Sequence, residues 1–380
     1  MNERDKLRSD SLNLLRFPLA IVILVIHVFS TRDFKLHGQL YSLDSTPIFK
    51  EINFFIDGFL RSQSVPIYFF ISGYVFFLGV TLTKDVYIRK LHNRVKSLFI
   101  PYIIWNTLAV LIGMMWFLPV FEQFFPNLSQ VRLDFSLPRI LNCYWDIQQG
   151  IFVYNGSTIE DAMGAAQPAD RPLWFLRDLM IVVLTTPAIY WILKHTKHYF
   201  VVMLGILWYI VSTFHLYYYT QLPAAYFFFT FGAYMSVNRK DMLVEFGKHF
   251  RLSAILYVFL SLLYVGLKHY QPELCIFIKH LNIFVGLIFA YNLSTWLLEK
   301  HICRPSSFLS SASFFIYISH GLICINLHKL IFHIAEPTSD WGMLFVYCST
   351  VIITVAILLS TFWLLRQYTP ALLKVIAGRK

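Results

Sequence analysis

Residues 15–29 read "LRFPLAIVILVIHVF", an arginine and a histidine inside an otherwise apolar run. A charge at the centre of a bilayer costs about 2.5–3.5 kcal/mol on insertion scales, so both groups need a use. Arg16 and His27 are eleven residues apart, which at 3.6 residues per turn closes three turns within about 20° and separates them by about 16 Å. They therefore share one face and mark a polar seam through a helix bundle. Imidazole has an unperturbed pKa nearest neutrality, so His27 suits a general base that takes a proton from a hydroxyl and returns it to a leaving group. It equally suits a transient carrier of the transferred group. Arg16 lies too far along the axis to touch His27 and suits the path of an anion. Each residue alone also has a plainer reading, a snorkelling anchor and a buried hydrogen-bonded ring; the shared face favours a pathway.

Other charged groups sit at the ends of apolar stretches. In "KDVYIRKLHNRVKSLFIP", Tyr87, Leu91, Val95 and Leu98 recur at helical spacing with Arg89, Lys90, Arg94 and Lys96 between them. That pattern predicts a helix lying along the membrane surface, its cations available to phosphates. "PLWFLRDLM" puts Trp174, Arg177 and Asp178 at the start of a span. Neighbours point about 100° apart, so the two charges need not pair; an ionic group there suits acceptor hydroxyls, and Trp174 suits an interfacial aromatic belt as well. His320, in mid-span after Tyr317, suits either the acceptor path or a hydrogen-bonded core. The five cysteines show no CxxC and no metal-ligand spacing, so neither a metal nor a tightly bound cofactor is expected.

The elements that must position these groups are membrane helices. Of 380 residues, 57% are hydrophobic and only 14% charged, and the mean hydropathy is positive; a soluble domain is excluded. Apolar runs of spanning length recur without the strict alternation of a barrel, and helices satisfy their own backbone inside lipid. Spans are expected near 12–30, 54–80, 98–118, 173–193, 199–215, 222–237, 253–269, 273–297, 307–331 and 341–365. This gives an all-α integral membrane protein of about ten helices, a single domain over 1–380. The net charge of +11 is spread over many short loops, which argues for topology and not for nucleic acid. Most lysines and arginines fall in the loops on one side, so the positive-inside rule predicts both termini in the cytoplasm. The charged start, with no small-residue cleavage site after it, reads as an uncleaved first span. Residues 119–172, rich in turn formers, are expected to form an irregular cap on the outer face.

Several stretches resemble acyltransferase family 3, membrane proteins that move acyl groups, commonly acetyl, onto hydroxyls of cell-surface glycans and related acceptors. "RFPLAIVILVIH" is similar to its first span, "VPIYFFISGYVFF" to its second, "NRVKSLFIPYIIW" to its basic loop, "PLWFLRDLM" to a Trp-Phe-Leu span start and "FFIYISHGLI" to a late Tyr-x-x-His span. The resemblance implies a catalytic His27, with Arg16 on the donor path and acetyl-CoA or another acyl-CoA as donor. It also implies a basic loop, Arg89, Lys90, Arg94 and Lys96, that meets the donor's nucleotide. The family's Arg-x-x-Arg is broken here, because Ser97 follows Arg94 at the third position. Trp174, Arg177, Asp178 and His320 remain acceptor-side candidates. The expected partners are acyl-CoA, a glycan or other hydroxyl acceptor and the bilayer of the cytoplasmic membrane; acceptor, chain length and homo-oligomer or monomer stay open. A rival reading is a transporter of an anionic or acylated solute, which the lack of two similar halves disfavours. A third is a non-catalytic partner in polysaccharide export, which would need neither His27 nor the basic loop.

Overall fold

The computed structural model describes residues 3–29, 34–36, 39–41, 43–61, 63–115, 117–118, 131–154, 166–214, 221–268 and 270–378. The chain is a helical membrane bundle. α1 (Glu3–Val28) leads to a short hairpin, β1 (Phe34–Leu36) with β2 (Gln39–Tyr41), and then to α2 (Pro47–Ile56) and α3 (Ser64–Phe77). α4 (Lys84–Arg94) and α5 (Ile100–Met115) follow, then α6 (Leu137–Asn142) between strands β3 (Val131–Leu133) and β4 (Phe152–Tyr154). The remaining helices are α7 (Trp174–Leu184), α8 (Thr186–Thr196), α9 (His198–Thr213), α10 (Leu222–Val237), α11 (Met242–Gly247), α12 (Phe250–Lys268), α13 (Pro272–Glu299), α14 (Ser307–Ala335), α15 (Asp340–Tyr368) and α16 (Pro370–Ile376).

Each expected span contains helix, but not ten full-length crossings. Among the described residues six helices are long and apolar enough to cross a membrane, or seven if the bent pair α7 and α8 counts as one. α3, α9 and α10 have 14, 16 and 16 residues, short of the roughly 20 that a bilayer asks for. The expected span 54–80 is divided. α2 is a separate helix that runs into a π turn at Asp57–Arg61, and α3 starts only after Gln63, whose side chain donates to the carbonyl of Asn282 at 3.0 Å. The expected span 173–193 bends by 63° between Leu184 and Thr186, where Pro187 near the start of α8 cannot continue the hydrogen-bond ladder.

The basic segment also departs from expectation. It is no separate surface helix but the start of a 32-residue rod, Lys84–Met115. Pro101 lacks an amide N–H and its ring would strike the carbonyl of Ser97. The backbone widens into a π turn over Val95–Phe99, in which the Ile100 N–H donates to Val95 O. Gly378, with φ +57, lies so close to the Ser97 carbonyl that a Cβ would overlap it, and Trp105 Nε1 donates to Ile376 O at 2.9 Å. The chain's last helix is thereby held against α5.

α1 and α3 form the centre. α3 buries Phe69, Phe70, Tyr74, Phe76 and Phe77 almost completely and crosses α10 backbone to backbone. A Cβ on Gly73 would overlap the Phe229 carbonyl oxygen, and one on Gly232 would overlap that of Phe70. Small residues at such a crossing let dispersion contacts hold two apolar helices together in lipid. α1 packs against α13, α14 and α15. Ser11 pairs with Thr295 at 3.0 Å toward the basic end, and Phe29 packs on Tyr347 and Phe49 at the other. The outer segment 119–172 is more regular than expected. Its β3–β4 pair and α6 are ordered by Asp134, which accepts from the Ser136 N–H at 2.9 Å and from Arg139 Nε at 3.1 Å. Residues 119–130 and 155–165 of that segment lie outside the described residues.

Candidate active site

α1 turns the face bearing Arg16 and His27 toward α14, and the two helices run in step. The eleven residues from Arg16 to His27 are matched on α14 by the ten from Ser310 to His320, each about 15–16 Å. At the inner level Arg16 meets Ser310, Ser313 and Tyr317 of α14, Tyr68 of α3 and Arg94 from the basic rod around one cavity of about 220 Å³. Tyr68 donates its hydroxyl to the Arg16 carbonyl at 2.6 Å. Neither Arg16 nor Arg94 has a carboxylate within ion-pair distance among the described residues. Two guanidiniums held without counter-charge in a confined space strongly favour an anion there.

Tyr317 lines this cavity, and His27 is not among its lining residues. The Tyr317 hydroxyl donates to Pro172 O at 2.5 Å, and its ring centroid lies 6.0 Å from that of His320. Beyond it the His27 side chain is exposed, with its ring 5.2 Å from the His320 ring and tilted by 41°. Ser313, Tyr317 and His320 follow at spacings of four and three, one stripe of α14 that joins the pocket to the imidazoles.

The four loop cations expected to act together are dispersed. Lys90 donates to the Phe76 carbonyl at 2.6 Å and sits 4.9 Å above the Phe76 ring, capping the end of α3. Arg94 lies 5.9 Å from the same ring on its way into the cavity. Arg89 and Lys96 are exposed. On the outer side Arg177 and Asp178 do pair, Nε to Oδ1 at 2.9 Å, and both are buried. Arg177 also donates to Trp145 O at 2.8 Å and Ala166 O at 3.0 Å and stacks 4.6 Å from the Trp145 ring. Its two Nη1 bonds fasten the outer segment to α7. Trp174 is half-buried, its ring 6.5 Å from that of Phe69.

Two residues here, Asp170 and Tyr68, carry little signal in the sequence. Asp170, in the turn before α7, is 2% exposed. Its N–H donates to Asn106 Oδ1 at 2.9 Å, and its carboxyl rests in a notch that Gly321 leaves in α14. Oδ2 has no hydrogen-bond partner among the described residues, and burial pushes the carboxyl pKa up to about 8. The only sequence signal was an acid beside a proline-flanked span start, "QPADRPLWF". Tyr68 gave none, because tyrosines are common in these spans.

A family described as an acyltransferase domain matches residues 9–363. The chain belongs to acyltransferase family 3. It is also 24% identical to the succinoglycan biosynthesis protein ExoH of Rhizobium meliloti (strain 1021), over 98% of this chain and 92% of that one. No solved structure matches. In this acyltransferase the described residues provide a cationic pocket at one level and an accessible imidazole three turns on.

Proposed function

We propose that this acyltransferase is a multi-pass O-acyltransferase of the cytoplasmic membrane that moves an acetyl group from cytosolic acetyl-CoA to a hydroxyl of a surface glycan. Both termini face the cytoplasm. The observation that carries this reading is the pair of uncompensated guanidiniums, Arg16 and Arg94, on one cavity below the helix stripe that leads to His27. The cavity accepts an anionic portion of the donor, whose thioester arm extends along the α14 stripe to His27, with Arg89 and Lys96 steering the nucleotide phosphates. The polysaccharide connection of the rhizobial relative supports a glycan acceptor.

In the reaction His27 takes the proton of the acceptor hydroxyl as its oxygen bonds to the thioester carbonyl carbon. The C–S bond then breaks, and the proton passes from His27 to the leaving thiolate, giving the ester and free CoA. His27 stands about 16 Å beyond Arg16, so Arg16 takes no part in the proton transfer and holds the donor instead. Arg177 and Asp178 keep the outer segment folded over the site, and no metal is required at any step.

The test uses purified protein in detergent, acetyl-CoA, and polysaccharide stripped of its esters by mild alkali from cells that carry the protein. His27→Ala is expected to reduce CoA release at least about 100-fold, the lower range of a general base's contribution, with the elution profile unchanged. Wild-type turnover in the folded variant would remove His27 from the chemistry.

A further inference from the structure

His320 lies on the same stripe as the donor pocket, yet it is fully buried in mid-helix, where an imidazole has a cost to justify. Its Nδ1 is 2.6 Å from the carbonyl oxygen of Tyr317. A carbonyl only accepts, so Nδ1 carries the hydrogen and a neutral ring has a bare lone pair at Nε2. Nε2 is buried without a hydrogen-bond partner among the described residues. Across the α1–α14 contact stands the His27 ring, its centroid 5.2 Å from that of His320. An edge-on N–H···N hydrogen bond between two imidazoles places their centroids about 5 Å apart. The torsion that turns an imidazole about its Cβ–Cγ bond is broad, and the exposed His27 has room to bring an N–H onto that lone pair.

We propose that His320 is the positioning residue of His27: its Nε2 accepts the N–H of the His27 ring, which fixes the tautomer and leaves the opposite nitrogen bare toward the acceptor hydroxyl. The inference rests on His27 as the base. It assigns His320 the orienting task that a carboxylate performs beside other catalytic histidines, done here by a neutral acceptor. A neutral partner suits the site, since an anionic carboxylate buried at mid-helix would need its own counter-charge. When His27 takes the hydroxyl proton, the same bond strengthens because its donor has become cationic, so the contact favours the transition state over the resting state.

Two amide replacements separate this task from simple packing. In His320→Asn the amide reaches the Tyr317 carbonyl in place of Nδ1 but offers nothing at the Nε2 position. In His320→Gln the amide oxygen supplies an acceptor near that position. With acetyl-CoA and ester-stripped polysaccharide, His320→Asn is expected to lose kcat ten- to a hundredfold, the usual cost of removing such a partner, with KM for both substrates unchanged. His320→Gln is expected to recover most of the loss. Wild-type kcat in His320→Asn, or equally slow Asn and Gln variants, overturns the assignment. His27→Ala assayed alongside distinguishes the two failures. Turnover surviving there sinks the base itself, whereas a His27-dependent enzyme indifferent to His320→Asn sinks only the pairing.

Discussion

Arg16 and Asp170 show how differently two buried charges can be handled at the level of a single residue. Arg16 keeps its guanidinium beside a cavity with no carboxylate in ion-pair range among the described residues, a cost that the proposed anionic donor would offset. Asp170 has no cation in ion-pair range among the described residues, and burial pushes its pKa up to about 8 instead. A carboxyl held protonated in the folded chain but ionised above about pH 4 when unfolded contributes its stability in full below that pH and loses it as pH rises to about 8. The thermal midpoint in detergent should therefore fall between about pH 5 and pH 8.5, by up to about 1.4 kcal/mol of stability per pH unit. Asp170→Asn should flatten the decline; a variant curve parallel to wild type would contradict it. Arg16 and His27 were legible in the sequence because a charge or an imidazole inside an apolar run has few alternatives. Asp170 was not, because its burial depends on a loop folding back onto Gly321, 151 positions away. The pairing of Arg177 with Asp178 was missed for a related reason. Helical geometry separates their Cβ directions, but a long guanidinium side chain can fold back to its neighbour.

At the scale of helices, hydropathy located the segments and misjudged their lengths. It cannot register the bend at Thr185 beside Pro187, the division at Gln63 or the π turn that fuses the basic segment to α5. Each depends on where a backbone carbonyl or amide finds a partner, not on how apolar a window is. Nor could it show that two short helices are viable because they interlock. At Gly232 any side chain would drive its Cβ into the Phe70 carbonyl, so Gly232→Ala must force α10 away from α3. The expected loss is about 1–3 kcal/mol or more, the range of overpacked sites. Gly266→Ala on α12, where nothing lies within 4 Å of the added atom, is expected to be neutral or up to about 1 kcal/mol stabilising. Thermal unfolding of the two variants beside wild type compares them directly, and equal midpoints would refute the close crossing. Because α3 also carries Tyr68 and ends at the Phe76 carbonyl capped by Lys90, loosening it should disturb the cavity as well.

Across the whole molecule the proposed function divides its two tasks between different parts of one helix pair. Arg16 of α1 and two serines of α14, with Arg94 of α4, surround a pocket toward the basic end, and two imidazoles lie farther along α1 and α14, with Tyr317 between them. The outer segment is fastened above by Arg177. In the proposed reaction the donor's thioester arm reaches from this pocket along the α14 stripe to His27 while the charged nucleotide stays behind, so a membrane enzyme of this design need not transport the carrier. The account stands on the inner pocket being the donor's anion site. Equilibrium binding of CoA to the detergent-solubilised protein tests that most directly. Arg16→Gln and Arg94→Gln are each expected to weaken binding at least about tenfold, roughly 1.4 kcal/mol, while His27→Ala binds as wild type does. Unchanged CoA affinity in both arginine variants would contradict it.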